Sequence, residues 1–226
     1  MADSWPSIRV MDIDMVDKEL KRKLAEQLSP AKTALIIVDV QNDFCHDQGV
    51  FGKRDFSLSH VDKAVSHLLP FMNQCRQYHL PIIFIRTIHS QWTDSESWVG
   101  RMQGVAREML ICRPDSWGSE FYKVKPLTTD FVVTKHRFSG FVGTDLDLVL
   151  RSKGIETLLM TGVATNVCVE TTARDGFSRD YRIILVEDCC AAYSPEEHAS
   201  TVTNIRKYFG IVTNSEVLTE LIEKLK

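Results

Sequence analysis

The chain has 226 residues, of which 44% are hydrophobic and 25% are charged, and its formal net charge is -3. A chain of this size and composition can bury a substantial core, which excludes an intrinsically disordered or fibrous protein. The charge shows no basic excess of the kind that nucleic-acid binding requires, and no apolar run is long enough to cross a bilayer.

The hydrophobic pattern predicts an N-terminal helix over residues 15–28 and then six short apolar runs that alternate with amphipathic helical segments. The runs cover residues 34–38, 82–85, 131–133, 157–160, 182–186 and 211–212. Near-continuous apolar runs are typical of strands that are buried on both faces of a sheet. The order of elements therefore predicts a doubly wound α/β fold, with a mostly parallel six-stranded sheet, helices on both faces and right-handed crossovers.

We interpret residues 1–226 as a single domain, in which residues 1–30 form a helical extension. The segment 89–126 is long and irregular and contains Trp92, Trp98 and Trp117. A long connection of this kind in a compact domain is often a functional loop. We expect it to shape the pocket.

The cysteines and the N-terminal sequence indicate the cellular compartment in which we expect the protein. The N-terminus lacks the basic start and apolar core of a secretory signal, and the six cysteines include no C-x-x-C pair. A chain of this size does not need disulfides for stability. We therefore expect reduced thiols and a cytoplasmic protein with no nucleic-acid or membrane partner.

Three chemically active residues follow or close predicted strands, where ligand sites of open α/β sheets lie. Asp39 follows the first strand, where desolvation by apolar neighbours would suit its carboxylate to proton transfer. Lys135 closes the third strand, and pairing with Asp39 would explain a buried lysine. Cys168 falls in the first turn of a predicted helix, where backbone N–H groups lower a thiol pKa and can stabilise an oxyanion. By position alone, each of the three could instead be structural.

Three sequence motifs surround these residues in order along the chain. They are Asp39-x-Gln41-Asn42-Asp43-Phe44, Lys135-x-Arg137-Phe138-Ser139-Gly140-Phe141 and Gly162-Val163-Ala164-Thr165-Asn166-Val167-Cys168-Val169. Together they make the chain resemble the isochorismatase-like cysteine hydrolases, from residue 34 to the C-terminus. The resemblance implies a three-layer α/β fold, no cofactor, and a homodimer or homotetramer.

The same resemblance implies roles for individual residues. Asp39, Lys135 and Cys168 would form a catalytic triad that cleaves an amide through a thioester intermediate. A cis peptide bond between Val163 and Ala164 would turn the backbone N–H groups of Ala164 and Cys168 toward an oxyanion. Residues of the motifs and of the irregular segment would contact the substrate. These substrate-contact candidates are Phe44, Gln41, Arg137, Phe141, Trp117 and Asn166.

Branches of the family can be compared on single residues. The isochorismate hydrolases lack the nucleophilic cysteine that Cys168 would supply. Nicotinamidases carry a metal site with an Asp-x-His sequence after the second strand, and Thr87 stands here in place of that aspartate. We therefore expect no metal, and we expect His89 to be a loop or pocket residue.

The second and third motifs look most like those of ureidoacrylate amidohydrolase, and Asp188-Cys189-Cys190-Ala191 after the fifth strand resembles biuret hydrolase. This likeness favours a small linear amide of the ureido or carbamoyl class, and Arg137 or Arg86 is a candidate to bind a substrate carboxylate. A nicotinamidase-like or broad-specificity amidase is the alternative. A dinucleotide-binding module is disfavoured, because no G-x-G-x-x-G follows the first strand.

Overall fold

The computed structural model describes residues 13–54, 56–100 and 110–224. Its centre is one parallel sheet of six strands, in the order β3-β2-β1-β4-β5-β6. The strands are β1 Thr33–Val38, β2 Ile82–Thr87, β3 Phe131–Lys135, β4 Thr157–Val163, β5 Arg182–Ala191 and β6 Gly210–Thr213. The predicted doubly wound α/β fold is confirmed, and the sheet is entirely parallel.

The described residues form eight α-helices. They are α1 Ile13–Gln27, α2 Asn42–Cys45, α3 Ser59–Gln77, α4 Glu96–Gly100, α5 Leu146–Ser152, α6 Glu170–Phe177, α7 Pro195–Asn204 and α8 Ser215–Glu223. None of the helices in this part of the chain combines the length and the hydrophobicity that a membrane crossing requires.

Two hydrophobic clusters cover the two faces of the sheet. Successive residues of a strand point to opposite faces, so Leu35 and Ile37 belong to one cluster and Ile36 and Val38 to the other. The first cluster packs against α1, α3 and α8, and the second against α5, α6 and α7. The predicted N-terminal helix is thus part of the core, because its Leu24 is fully buried in the first cluster.

Strands β1 and β4 approach each other closely at their carboxyl ends. Gly162 pairs with Val38, and a Cβ atom on Gly162 would lie 2.1 Å from the carbonyl oxygen of Val38. Gly162 also has a φ of 110°, a conformation that residues with a Cβ atom rarely adopt. Glycine is therefore required at this position, which precedes the cysteine-bearing turn.

Candidate active site

Three ionisable side chains meet at the carboxyl ends of the parallel strands. Nζ of Lys135, the last residue of β3, lies 2.7 Å from Oδ2 of Asp39, which directly follows β1. The same Nζ donates a hydrogen bond to Sγ of Cys168 at 3.4 Å. Their relative exposures are 0% for Asp39, 1% for Lys135 and 8% for Cys168, so the ion pair is removed from bulk water. The structure brings together the three residues that the motifs point to.

Strand register accounts for this meeting. Lys135 is the register partner of Thr87 on β2. At the end of β1, Val38 is the partner of Ile85 on β2 and of Gly162 on β4. Four neighbouring strands therefore end at one edge of the sheet, and the side chains that follow them share that edge.

Thr87 is a member of the site that the sequence motifs do not include. Its hydroxyl donates to Oδ1 of Asp39 at 2.9 Å and accepts a hydrogen bond from Nζ of Lys135 at 2.7 Å. Nζ of Lys135 also donates to the carbonyl oxygen of Arg137 at 3.1 Å. In the sequence, Thr87 stands out only as a residue in place of a metal-ligating aspartate. Its position at the end of the strand between β3 and β1 is the signal that could have identified it.

Burial and charge act in opposite directions on Lys135 and Cys168. Burial disfavours the charged ammonium of Lys135, but its ion pair with Asp39 and its hydrogen bond to Cys168 outweigh this effect, so the pKa of Lys135 is raised above its usual value. Burial raises the pKa of the Cys168 thiol to about 12, although Lys135 acts to lower it. The expectation of a lowered cysteine pKa is therefore wrong for the resting site. The thiol is protonated at neutral pH, and forming the thiolate requires a base.

The turn after β4 presents Cys168 at the sheet edge. The peptide bond between Val163 and Ala164 is cis, the conformation that the family resemblance implies. A π-helical turn over Thr165–Val169 follows and continues into α6. Cys168 thus lies in a widened turn that precedes the regular helix.

Hydrogen bonds join the second motif to this turn. Oγ1 of Thr172 donates to the carbonyl oxygen of Cys168 at 2.7 Å and accepts from the backbone N–H of Gly140 at 3.0 Å. Lys135 and Gly140 belong to the same motif, so the segment that supplies the ammonium also buttresses the segment that supplies the thiol. The two motifs form one structural unit.

A cavity of about 320 Å³ opens onto Cys168 and Lys135. Aromatic side chains make up much of its wall, namely Phe44, Phe51, Phe56, Trp98, Phe138 and Tyr193. Polar and charged residues also line it, namely Arg54, Thr87, His89, Arg137, Asn166 and Glu197. The volume lies at the lower end of the range for small-molecule pockets, which suits a small ligand.

Three of the six substrate-contact candidates line this cavity, namely Phe44, Arg137 and Asn166. Gln41, Phe141 and Trp117 lie outside it. The buried amide of Gln41 donates to two backbone carbonyls and accepts from a backbone N–H, so it fixes the chain at the strand ends. Phe141 packs in the core against Tyr181, and Trp117 packs edge-on against His46. The structure therefore does not support these three as substrate contacts.

The two arginines considered for a substrate carboxylate have different surroundings. Arg137 lines the cavity, and its guanidinium carbon lies 4.9 Å from the centre of the Trp98 ring. Arg86 does not line the cavity, and its Nε donates to Oγ1 of Thr134 at 3.1 Å. Arg86 is thus removed from the candidates.

Asp43, a residue of the first motif, holds two loops beside the site. Its Oδ1 accepts a hydrogen bond from the backbone N–H of Val50 at 3.2 Å, and its Oδ2 accepts one from the backbone N–H of Cys112 at 2.6 Å. The first loop continues to Arg54, and the second belongs to the irregular segment 89–126. The described part of that segment supplies His89, Trp98 and Ile111 to the cavity wall, as expected for a pocket-shaping loop.

The donor set around the sheet edge offers little to a metal ion. Within residues 13–54, 56–100 and 110–224, no group of three His, Cys, Asp or Glu side chains is arranged to hold one. Thr87 occupies the expected ligand position and is engaged with Asp39 and Lys135. His89 is buried in the cavity wall, and its ring lies 5.2 Å from that of Trp98.

Known proteins resemble this chain in sequence and in fold. A family model described as the isochorismatase domain matches residues 33–217. The ureidoacrylate amidohydrolase RutB of Methylobacterium radiotolerans is 33% identical to the chain over 204 residues, which cover 83% of the chain and 78% of that protein.

Two solved structures resemble the fold over most of its length. A cysteine hydrolase from Pseudomonas syringae pv. phaseolicola 1448A has a TM-score of 0.78 and 27% identity, and the match covers 88% of this chain and 96% of that chain. N-carbamoylsarcosine amidase from Thermoplasma acidophilum has a TM-score of 0.66 and 32% identity, with coverage of 82% of this chain and 97% of that chain.

Proposed function

This chain belongs to the isochorismatase family of hydrolases, and from that premise we propose that it is a metal-independent cysteine amidohydrolase. Its substrate is a small linear amide of the ureido or carbamoyl class. The observation that carries the proposal is the contact of the Cys168 thiol with the buried pair of Asp39 and Lys135. A nucleophile, a base and a cation that positions the base are thereby within reach of one small cavity.

The first half of the reaction acylates the enzyme. Sγ of Cys168 attacks the carbonyl carbon of the amide, and the thiol proton passes to Asp39. The electron pair of the C=O bond moves to oxygen, and the backbone N–H groups of Ala164 and Cys168 stabilise this oxyanion. The C–N bond then breaks, and the leaving nitrogen takes the proton from Asp39. An amine or ammonia departs, and a thioester remains.

The second half regenerates the thiol. Water attacks the thioester carbon and gives a proton to Asp39. The C–S bond breaks, and Sγ of Cys168 recovers the proton from Asp39. Lys135 keeps its charge throughout and orients the Asp39 carboxylate through their ion pair. The raised pKa of Cys168 makes this general base necessary, because the resting thiol does not ionise by itself at neutral pH.

Two observations support the substrate class. The relatives named above include a ureidoacrylate amidohydrolase and an N-carbamoylsarcosine amidase. The cavity is small, and its aromatic walls are joined by two arginines, Arg54 and Arg137. A short acyclic amide with a polar or anionic end matches this lining.

The test is ammonia release from a panel of amides, measured with wild-type protein and two cysteine variants. The panel contains ureidoacrylate, biuret, N-carbamoyl amino acids and nicotinamide. Cys168→Ala should lose turnover on every substrate, because alanine cannot form the thioester. Cys75→Ala is the matched control, since Cys75 is fully buried in the hydrophobic core and does not line the cavity.

The proposal fails if Cys168→Ala retains the wild-type kcat, or if wild-type protein releases ammonia from no member of the panel. Turnover restricted to nicotinamide would identify a nicotinamidase-like enzyme. Comparable turnover of all members would identify a broad-specificity amidase.

A further inference from the structure

Arg54 is a cation in the cavity wall that the sequence motifs do not include. It ends a short 3-10 turn, Gly52–Arg54, and lines the same cavity as Cys168. Its Nη2 atom is buried and has no hydrogen-bond partner, and among the described residues no carboxylate forms an ion pair with it. A buried guanidinium nitrogen without a hydrogen-bond partner is unfavourable, and a bound anion would relieve that cost.

The other cations of the cavity already have partners. Lys135 is paired with Asp39. Nη1 of Arg137 donates to the carbonyl oxygens of Thr93, at 3.1 Å, and His136, at 2.6 Å. The guanidinium of Arg137 also lies over an aromatic ring, as described above. Of these three cations, Arg54 is the one with a buried side-chain nitrogen that has no hydrogen-bond partner among the described residues.

The segment that carries Arg54 is held in place by its surroundings. Asp43 accepts a hydrogen bond from Val50 as described, and its carbonyl oxygen accepts one from the backbone N–H of Phe51 at 3.0 Å. Gly49 passes so close to α2 that a Cβ atom there would lie 2.2 Å from the carbonyl oxygen of Asn42. Arg54 is therefore presented from a fixed backbone.

An aromatic wall stands beside the turn. The rings of Phe51 and Tyr193 stack with centroids 4.6 Å apart, and Phe56 lies 5.1 Å from Tyr193. The hydroxyl of Tyr193 donates to the carbonyl oxygen of Phe44 at 3.1 Å, which locks the wall to α2. Such apolar surroundings lower the local dielectric and strengthen an ion pair formed within them.

We propose that Arg54 is a specificity-determining residue that binds a carboxylate of the substrate while the amide carbonyl lies at Cys168. The inference rests on the proposed function and narrows it to anionic amides, such as ureido acids, in preference to neutral ones such as biuret. A planar guanidinium can receive a carboxylate through two parallel hydrogen bonds, which gives both energy and orientation. Arg54 takes no part in proton transfer.

The experiment measures binding without turnover, in protein carrying Cys168→Ser. The two probes are 3-ureidoacrylate and 3-ureidoacrylamide, which have the same shape and differ in one carboxylate. Calorimetry gives the ratio of their dissociation constants, and the carboxylate should bind more tightly. Adding Arg54→Met should reduce this preference about 100-fold, because the charged partner is lost in a desolvated site.

Two further variants make the result specific. Lys53→Met removes the same charge from the neighbouring residue of the turn, which is exposed and does not line the cavity, so it should preserve the preference. Arg54→Gln is a second substitution with a polar side chain, for use if Arg54→Met unfolds, and it should lose the preference to a similar extent.

Three outcomes overturn the inference. They are failure of the carboxylate probe to bind, an unchanged preference in both Arg54 variants, and loss of the preference in Arg137→Met with retention in Arg54→Met. Failure of the proposed function is a separate result, because it shows as absent ammonia release by the wild-type protein while the binding ratio is measured in an inactive background.

Discussion

The hydroxyl group of Thr87 forms hydrogen bonds with both the proposed general base, Asp39, and the cation, Lys135. Thr87 donates to Asp39 and accepts from Lys135, so it fixes the orientation of both charged groups relative to Cys168. Thr87 makes no hydrogen bond to Cys168 and exchanges no proton in the proposed mechanism. It is a positioning residue, whose effect on catalysis passes through the ion pair.

We expect Thr87→Val, which preserves shape and removes the hydroxyl, to reduce kcat at least about 10-fold and to destabilise the fold by about 1–3 kcal/mol, because two buried polar groups lose a partner. Thr87→Ser restores the hydroxyl and should recover most of the activity. The measurements are kcat across pH and urea unfolding. A merely structural role would leave the pH profile unmoved, and Thr87→Ser would then rescue stability alone.

We expect Asp39 and Lys135 to act as a coupled pair. Asp39→Asn and Lys135→Met should each reduce kcat by about 10²–10⁴-fold, and the double variant should lose little more than the worse single variant, because the two residues act as one unit. Alkylation of Cys168 by iodoacetamide should slow in Asp39→Asn, which no longer supplies a base for the buried thiol.

Stability should follow a different pattern from activity. Lys135→Met leaves the buried Asp39 without its counter-charge, which costs about 3–5 kcal/mol, whereas the double variant carries neither charge and should recover much of that loss. Thermal unfolding of the four proteins checks this. Losses that add in both kcat and stability, together with unchanged alkylation, would show that the two residues act separately.

The ends of β1 and β4 set the geometry of the site at the scale of elements. Gly162 allows β4 to approach the carbonyl of Val38, and the turn that bears Cys168 begins directly after β4. The close approach also brings that turn beside Asp39, which follows Val38. The tight pairing of β1 and β4 thus sets the position of Cys168 relative to Asp39.

We expect Gly162→Ala to lower the free energy of unfolding by more than about 3 kcal/mol, because the added methyl group overlaps backbone atoms and the positive φ is unfavourable for alanine. Gly154→Ala is the control. Gly154 also has a positive φ, 66°, but has open space around the position of a Cβ atom, so its cost should be about 1–2 kcal/mol. Urea unfolding of both variants gives the comparison. Equal losses in the free energy of unfolding would mean that the contact with Val38 adds nothing to the cost of Gly162→Ala.

The sheet edge as a whole leads us to expect chemistry by side chains of the protein without a metal ion. Thr87 stands at the position of a metal-ligating aspartate, and the buried Lys135 places a positive charge where a cation would compete. We therefore predict that incubation with EDTA, followed by dialysis, leaves both kcat and the thermal unfolding midpoint unchanged. Stoichiometric zinc, iron or manganese that is lost together with activity would contradict this.

The fold class and the meeting of Asp39, Lys135 and Cys168 at one edge of the sheet could be predicted from the sequence because their signals are local. Buried parallel strands read as continuous apolar runs, and Asp39, Lys135 and Cys168 follow or close such runs within recognisable motifs. Parallel topology then brings strand ends to one edge whatever the intervening loops contain. The sequence was less informative about the cysteine pKa, because desolvation depends on packing from all sides and here outweighs the effect of Lys135.

The tertiary structure alone decided which residues face the cavity. Gln41 and Phe141 lie in the motifs and Trp117 in the irregular segment, but they point into a backbone network, the core and the surface. Arg54 lies outside the motifs and lines the cavity. The direction of a side chain on a loop is set by hydrogen bonds to distant segments, such as that between Asp43 and Cys112, 69 positions apart. Contacts of that range leave no periodic trace in the sequence, which is why the three residues of the candidate site could be predicted from it and the cavity wall only in part.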